Sequence, residues 1–190
     1  MEKTNIGFAI TGSFCTHEKI LQSIQELVHQ GHEVFPIVSE ITAKTSTRFG
    51  ESDKFLNTLE KITGHKPLGN IVEVEPTGPR NLFEVLVVAP CTGNTLAKIA
   101  NGINDTAVTM AVKAHGRNNK PVVIGISTND GLGLNLKNIG TLFSAKNFYF
   151  VPFGQDDHTN KPKSLVADWS LLEKTITYAK EEKQIQPVLI

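Results

Sequence analysis

The chain has 190 residues, and its 19 basic side chains balance its 19 acidic ones, so the formal net charge at pH 7 is zero. A chain of this length suits one domain with a substantial core, and the even balance of charge argues against a nucleic-acid partner. Apolar runs no longer than a strand argue against a membrane-spanning helix, and the first residues lack the charged-then-apolar order of a signal peptide.

The first elements in chain order predict a strand–helix–strand unit. Residues 5–11 predict an apolar strand, residues 17–30 carry apolar side chains at helical spacing, and residues 33–38 predict a second strand. Pro36 in the second strand favours a position near the edge of the sheet or a break in the hydrogen-bond ladder. The turn at residues 12–16 lacks the glycine fingerprint of a dinucleotide site, so its hydroxyl groups suit a single phosphate better.

The rest of the chain continues to alternate between predicted helices and strands. Residues 41–64 are mainly helical with a break at Arg48, residues 71–74 predict a short strand, and residues 85–89 predict a central buried strand. Helices are predicted at residues 96–103, 105–115, 132–142 and 165–183, and strands at 121–126 and 148–151. Residues 154–163 are polar and predict a mobile loop, whereas residues 184–190 form an apolar tail that we expect to dock. This alternation predicts one domain, residues 1–190, of the α/β class with a doubly wound, mostly parallel sheet.

Small polar residues follow four of the predicted strands, where each strand ends. They are Thr11, Gly12 and Ser13; Ser39; Pro90, Cys91, Thr92, Asn94 and Thr95; and residues 127–129. Because the carboxyl ends of parallel strands meet at one edge, where such sheets bind ligands, we expect these turns to surround a phosphate-bearing ligand. The alternative for any single turn is a capped helix start without a ligand, since Ser, Thr and Asn are the usual N-caps.

The central turn carries a family signature. It resembles the PASANT motif of the flavoprotein family, which includes homo-oligomeric flavin-containing cysteine decarboxylases, and the motif continues in Lys98, Gly102 and Asp105. The hydroxyl-rich first turn and the serine after the second strand, Ser39, are also similar to that family. The similar segments extend along nearly the whole chain, from the first strand to the sequence KNFYFVPFGQDD.

The resemblance implies a Rossmann-like fold, an FMN or phosphate site built from these turns, and a trimer-based homo-oligomer with the cleft between protomers. It also implies that the chain works with a separate dehydrogenase-like partner, which brings NADP, on a small dicarboxylate substrate. Arg48 and Asn129 are the candidates for binding that substrate, because a dicarboxylate needs cationic and amide partners. The alternative for Arg48 is a solvated surface charge.

Two departures from the family pattern argue against decarboxylation of a peptide cysteine. The decarboxylases carry an active-site histidine shortly before the central strand, where this chain has Pro76. Their motif resembling PMNxxMW is replaced here by STNDGL, which keeps Asn129 and lacks the proline, methionine and tryptophan. Three hypotheses follow: one component of a two-protein oxidoreductase, a stand-alone FMN enzyme of the decarboxylase or prenyl-flavin type, and a non-catalytic scaffold. The sequence assigns no catalytic acid or base.

The two cysteines and the chain end complete the predictions. Cys15 and Cys91 each follow a strand near a helix start, where a thiolate can be activated. The favoured interpretation of both is a small buried hydrophobe, reduced in a cytoplasmic protein. No metal-ligand spacing is present, so no metal site is expected. The apolar residues 188–190 favour a homo-oligomer, since a monomer has little reason to expose them.

Overall fold

A seven-stranded sheet organises residues 3–190, the part of the chain that the computed structural model describes. Its strands are β1 (Asn5–Ile10), β2 (Glu33–Val38), β3 (Val85–Cys91), β4 (Val122–Thr128), β5 (Phe148–Phe150), β6 (Phe153–Asp157) and β7 (Lys161–Ala167). The order is β2-β1-β3-β4-β7-β6, and β5 pairs with β4. Strands β1 to β5 pair in parallel, whereas β7 pairs antiparallel with β4 and β6. The predicted α/β class and mostly parallel sheet are confirmed, and β2 with its Pro36 is an edge strand.

Eight helices connect and cover the strands within the described residues. They are α1 (His17–His29), α2 (Glu40–Lys44), α3 (Ser52–Thr63), α4 (Ile71–Val74), α5 (Gly93–Ala100), α6 (Ala107–Gly116), α7 (Leu136–Phe143) and α8 (Leu172–Lys180). Short 3₁₀ turns occur at Phe14–Thr16, Glu75–Thr77 and Trp169–Leu171. None of the helices in residues 3–190 is long and apolar enough to cross a membrane.

The core lies on both faces of the parallel part of the sheet. Helix α1 packs with α3, and α6 packs with α4 and α5, while α1, α6 and α8 all contact β3. All seven residues of β3 are therefore buried, which explains why its sequence is an unbroken apolar run. Gly7 in β1 makes room for the ring of Phe83, because a Cβ on Gly7 would lie 2.5 Å from that ring.

Several predicted elements are wrong in type or extent. Residues 71–74 form a helical turn rather than a strand, because the Asn70 side chain accepts a hydrogen bond from the Glu73 N–H at 3.0 Å and caps it. The predicted loop at residues 154–163 is a β-hairpin, whose turn is fixed by the Asp157 carboxylate accepting from the Thr159 and Asn160 N–H groups. The predicted C-terminal helix begins later, at Leu172, since residues 165–167 belong to β7.

The apolar tail docks on its own chain. The Phe153 N–H donates to the Val188 carbonyl at 3.0 Å, and the Ile190 N–H donates to the Phe153 carbonyl at 3.2 Å. Docking is predicted correctly, but the tail pairs with the start of β6 and still leaves Leu189 68% exposed and Ile190 58% exposed.

Candidate functional site

Thr11 joins the carboxyl ends of β1 and β3. Its hydroxyl donates to the Pro90 carbonyl at 2.6 Å and accepts from the Thr92 N–H at 3.0 Å. The side chain is 1% exposed, so both bonds are shielded from water. The first turn and the central turn, which are far apart in the sequence, are therefore held together by one buried hydroxyl.

Three hydroxyl groups from the first and fourth turns form a compact group, the hydroxyl cluster of Ser13, Thr16 and Ser127. The Ser13 Oγ and Ser127 Oγ atoms are 2.8 Å apart. The Thr16 Oγ1 atom lies 3.1 Å from the Ser127 Oγ and 3.3 Å from the Ser13 Oγ. Each hydroxyl has one donor and two acceptor positions, so the cluster can rotate its O–H groups toward an anion.

The second turn lies beside the first. The Ser39 N–H donates to the Ile10 carbonyl at 3.0 Å, and the side chain of Ile41 reaches Gly12, where a Cβ would lie 3.0 Å from it. Ser39 caps α2 by accepting from the Thr42 N–H at 3.3 Å, and the two hydroxyl oxygens are 2.9 Å apart. This end of the sheet thus carries a second pair of hydroxyl groups.

A cleft open to solvent, here called the aromatic cleft, adjoins the Ser39 side. Four of its lining residues carry rings, namely Phe14, His17, Phe49 and Phe55, and the others are Thr42, Thr45, Thr47, Gly50, Glu51 and Ser52. The His17 ring stacks on Phe55 with their centroids 4.5 Å apart. Its Nε2 lies 2.9 Å from the Thr11 carbonyl, which can only accept, so this nitrogen carries the proton. Burial lowers the pKa of His17, although the bond to Thr11 opposes that shift, so the imidazole is neutral at pH 7.

The central turn opens α5. Thr92 caps the helix by accepting from the Thr95 N–H at 3.4 Å, Thr95 is buried, and Asn94 is exposed. The strand continues through Pro90 to Cys91 with a shift of register against β4, rather than ending at the proline as the sequence predicts. The turn residues of the PASANT-like motif therefore lie at the start of α5, beside the carboxyl ends of β1 and β4.

A chain of hydrogen bonds runs through the loop that follows β4. Three of the side chains in this chain lie against the first residue of α5. The Asp130 carboxylate accepts from the Thr128 hydroxyl at 2.6 Å and from the Asn135 amide at 2.8 Å, and Asn135 accepts from Asn138 at 2.8 Å. We call these four residues the polar latch. The latch holds residues 129–135 in a loop. The helix predicted from residue 132 therefore begins later, at Leu136.

The two candidate substrate residues are not part of these clusters. Arg48 is exposed in the break between α2 and α3, and its guanidinium lies 4.9 Å from the centre of the Phe49 ring. Asn129 is exposed beside the latch. Both lie near the carboxyl edge of the sheet, and their contact with a ligand stays a prediction.

The two cysteines differ. Cys91 is fully buried, and burial raises the pKa of its thiol, so it is an inert part of the core as predicted. Cys15 is exposed, so its prediction as a buried hydrophobe is wrong. It lies in the 3₁₀ turn before α1, with its Sγ 3.9 Å from the Ser13 Oγ. In residues 3–190 no group of histidines, cysteines and carboxylates could hold a metal ion.

Sequence reasoning missed several residues of this edge. Thr42 stands three residues after Ser39, a spacing typical of helix capping that could have identified it. Glu40 accepts from the Ala107 N–H at 3.0 Å and so tethers α2 to the start of α6, which no local pattern indicates. No local pattern separates Asp130 and Asn135 from ordinary turn residues, because the residue they pack against, Gly93, is distant in the sequence.

Comparison with known proteins identifies the family. The flavoprotein family model matches residues 1–163. The chain belongs to the flavoprotein family. The B subunit of dipicolinate synthase from Bacillus subtilis is 49% identical to this flavoprotein over 185 residues, which cover 97% of the chain and 92% of the relative. The resemblance inferred from the PASANT-like turn is confirmed.

Solved structures agree with this assignment. The crystal structure of the dipicolinate synthase B subunit from Bacillus halodurans superimposes with a TM-score of 0.90 at 46% identity, covering 98% of this chain and 96% of that chain. DmrB of Burkholderia xenovorans, a cubic cage solved in complex with FMN, has a TM-score of 0.70 at 18% identity and covers 92% and 94% of the two chains. At that identity the likeness to DmrB concerns the fold alone.

Proposed function

We propose that this flavoprotein is the B subunit of a dipicolinate synthase. In this proposal it acts with the dehydrogenase-like A subunit of the same enzyme, here called the dehydrogenase partner. Together they carry out the NADP-linked oxidation of dihydrodipicolinate, or of hydroxytetrahydrodipicolinate, to dipicolinate. The setting is the cytoplasm of the mother cell of a sporulating bacterium. The observation that carries the proposal is the 49% identity to the Bacillus subtilis relative, which extends over 97% of the chain.

The stand-alone decarboxylase alternative is disfavoured by the site. Pro76, which stands where the decarboxylases have their histidine, lies in a 3₁₀ turn, and the latch residues replace the motif resembling PMNxxMW. The scaffold alternative differs from the main proposal in what the carboxyl edge does. A scaffold requires no ligand there, whereas a component of the enzyme does.

The ligand we propose for that edge is FMN, with its phosphate on the hydroxyl cluster and on the Ser39–Thr42 pair. Within residues 3–190 no carboxylate oxygen is hydrogen-bonded to any of these five hydroxyl groups, so they are free of a competing anion. Hydroxyl donors of this kind suit a phosphate. The central turn, Pro90 to Thr95, borders the same ligand, and the aromatic cleft adjoins it beside Ser39.

In this proposal the cofactor and each residue of the site have a specific role. Bound FMN would supply a redox-active ring that accepts or returns a hydride, and NADP would reach the complex through the dehydrogenase partner. Ser13 and Ser39 orient the phosphate by donating hydrogen bonds, and the neutral His17 adds no charge to the cleft beside them. The Arg48 guanidinium and the Asn129 amide are proposed to bind the carboxylates of the substrate, because both groups donate hydrogen bonds from exposed positions.

The test combines reconstitution with one variant. The chain and its dehydrogenase partner together are expected to produce dipicolinate with a coupled change in NADPH absorbance, and neither protein by itself is expected to do so. Ser39→Ala is expected to weaken FMN binding about tenfold, because a hydrogen bond to a charged group contributes about 1.5 kcal/mol or more. Calorimetric titration with FMN and with riboflavin, which lacks the phosphate, measures this effect.

The matched control is Thr58→Ala, which removes an exposed hydroxyl on α3 that bonds only the Lys54 carbonyl. It should leave FMN affinity and complex activity unchanged. If Ser39→Ala and Ser13→Ala both kept full activity in the complex, the scaffold alternative would replace the enzyme proposal. A yellow protein that is active without the dehydrogenase partner would favour the stand-alone class instead.

Homo-oligomerisation is the second part of the proposal, and two exposed apolar surfaces support it. The leucine loop comprises Leu132, Leu134 and Leu136, which are 40%, 82% and 51% exposed after β4. On the side of the second turn, Ile41 and Phe49 are 56% and 54% exposed. Two different patches flanking one site suit a head-to-tail ring, in which one patch of each protomer meets the other patch of the next.

Leu134→Glu is expected to dissociate the oligomer without lowering the stability of the individual protomer. A carboxylate buried in an apolar contact is costly, whereas the same carboxylate in water is not. Sedimentation velocity over a range of concentrations measures assembly, and Val72→Glu provides a matched control because Val72 is 81% exposed on α4. A wild-type monomer at all micromolar concentrations would contradict the proposal, and unchanged assembly of Leu134→Glu would exclude the leucine loop as the contact.

A further inference from the structure

Asp130 lies directly against the first turn of α5. Gly93 is the first residue of that helix, and a Cβ on Gly93 would lie 2.6 Å from the Asp130 Oδ1. The carboxylate is held there from both sides, by the Thr128 hydroxyl and by the amide of the buried Asn135. Its position is therefore fixed by the polar latch, and it is fixed at the positive end of the α5 dipole.

The charge of Asp130 is balanced by the helix end and by neutral donors. None of the salt bridges among residues 3–190 includes Asp130. The nearby Lys163 brings its aliphatic chain to Gly133, and its ammonium makes no ion pair with Asp130. Two backbone N–H groups at the start of α5 already have hydrogen-bond partners. The Thr92 N–H donates to the Thr11 hydroxyl, and the Thr95 N–H donates to the Thr92 hydroxyl.

The neighbouring helix α6 also has a carboxylate at its start, although this one accepts a backbone N–H directly. The Glu40 carboxylate accepts from the Ala107 N–H at the first residue of α6, at 3.0 Å. Two helices that start at the carboxyl edge of the sheet thus have a carboxylate of the protein itself at their N-termini. By contrast, no carboxylate oxygen within the described residues is hydrogen-bonded to the hydroxyl cluster or to the Ser39–Thr42 pair.

We propose that the Asp130 carboxylate serves as an anion of the protein itself at the N-terminus of α5, and that it determines where an anionic ligand group can bind. Its charge repels a phosphate or carboxylate from the central turn and directs that group to the hydroxyl groups of the first and second turns. This rests on the proposed function, in that it concerns the same ligand site. It changes the expectation from the sequence, in which the central turn holds the phosphate together with the first and second turns.

The experiment replaces Asp130 by a neutral residue of the same size, Asp130→Asn, and compares three probes: FMN, riboflavin and inorganic phosphate. Removing one charge near a helix end is expected to tighten FMN and phosphate binding about two- to fivefold, since such interactions contribute about 0.5–1 kcal/mol. Riboflavin affinity should stay unchanged, and the gain should shrink as the salt concentration rises. A merely structural role of the latch would weaken all three probes alike.

Two further variants make the result decisive. Glu60→Gln removes one exposed charge from α3 and should leave all three affinities unchanged. Asp130→Ser, which is smaller and neutral, repeats the measurement if Asp130→Asn does not fold. Unchanged or weaker phosphate binding in a folded neutral variant would overturn the inference. If the wild type binds no FMN, the proposed cofactor is wrong, and the phosphate measurement on the variants still decides the role of Asp130.

Discussion

Gly93→Ala is expected to lower the free energy of unfolding by about 3 kcal/mol and Tm by about 8 °C. The added methyl group would lie 2.5 Å from the Asn135 Nδ2, 2.6 Å from the Asp130 Oδ1 and 2.7 Å from the Thr128 Oγ1. The Asp130 carboxylate accepts from both of the other groups, through Oδ1 from the Thr128 hydroxyl and through Oδ2 from the Asn135 amide, so a shift of any of the three residues strains a bond of the polar latch. The backbone conformation is not the cause, because Gly93 has no positive φ angle. Thermal and urea unfolding followed by circular dichroism measure the change.

Gly140→Ala is the matched control. Gly140 lies inside α7, and a Cβ there would meet nothing within 4 Å. The substitution should stabilise the protein by up to about 1 kcal/mol, since alanine is the better helix former. Opposite signs for two identical substitutions would locate the effect of Gly93 in the latch. A Gly93→Ala variant as stable as the wild type would show that the loop at residues 129–135 yields easily.

The parallel sheet could be predicted from the sequence because its strands are buried on both faces. β3 and β4 are unbroken apolar runs, and a helical pattern follows each of the strands β1, β3 and β4. The β6–β7 hairpin could not be predicted in this way, because its outer half is exposed and carries Asp156, Asp157 and Lys161. Its pairing depends on contact with β4, which a local pattern does not contain.

Those features of the candidate site that depend on a single turn could be predicted from the sequence. A hydroxyl-bearing residue after a strand, such as Ser13 or Ser39, stands out in the sequence by its position alone. The contacts between the turns do not stand out, since Ser13 and Ser127 are 114 residues apart. Asp130 was missed for the same reason: its role follows from its distance to Gly93 in space, and only the fold sets that distance.

Thr11→Val is expected to destabilise the protein by about 2–4 kcal/mol, although valine has nearly the same shape as threonine. The hydroxyl is the partner of two backbone groups, the buried Pro90 carbonyl and the partly buried Thr92 N–H. Valine fills the same space and satisfies neither group, and each unsatisfied buried group costs about 1–3 kcal/mol. Urea unfolding at constant pH measures the loss.

Thr11→Ser separates the hydroxyl from the methyl group. Serine keeps both hydrogen bonds and loses one buried methyl, so the expected cost is only about 1 kcal/mol. Thr58→Val, on the exposed face of α3, should change stability by less than about 0.5 kcal/mol and controls for the substitution itself.

The same order should appear in ligand binding, because Thr11 joins the first turn to the central turn: valine should weaken FMN binding more than serine. Equal stability of the valine and serine variants would mean that water replaces the hydroxyl, and that the two turns are held in register by the sheet alone.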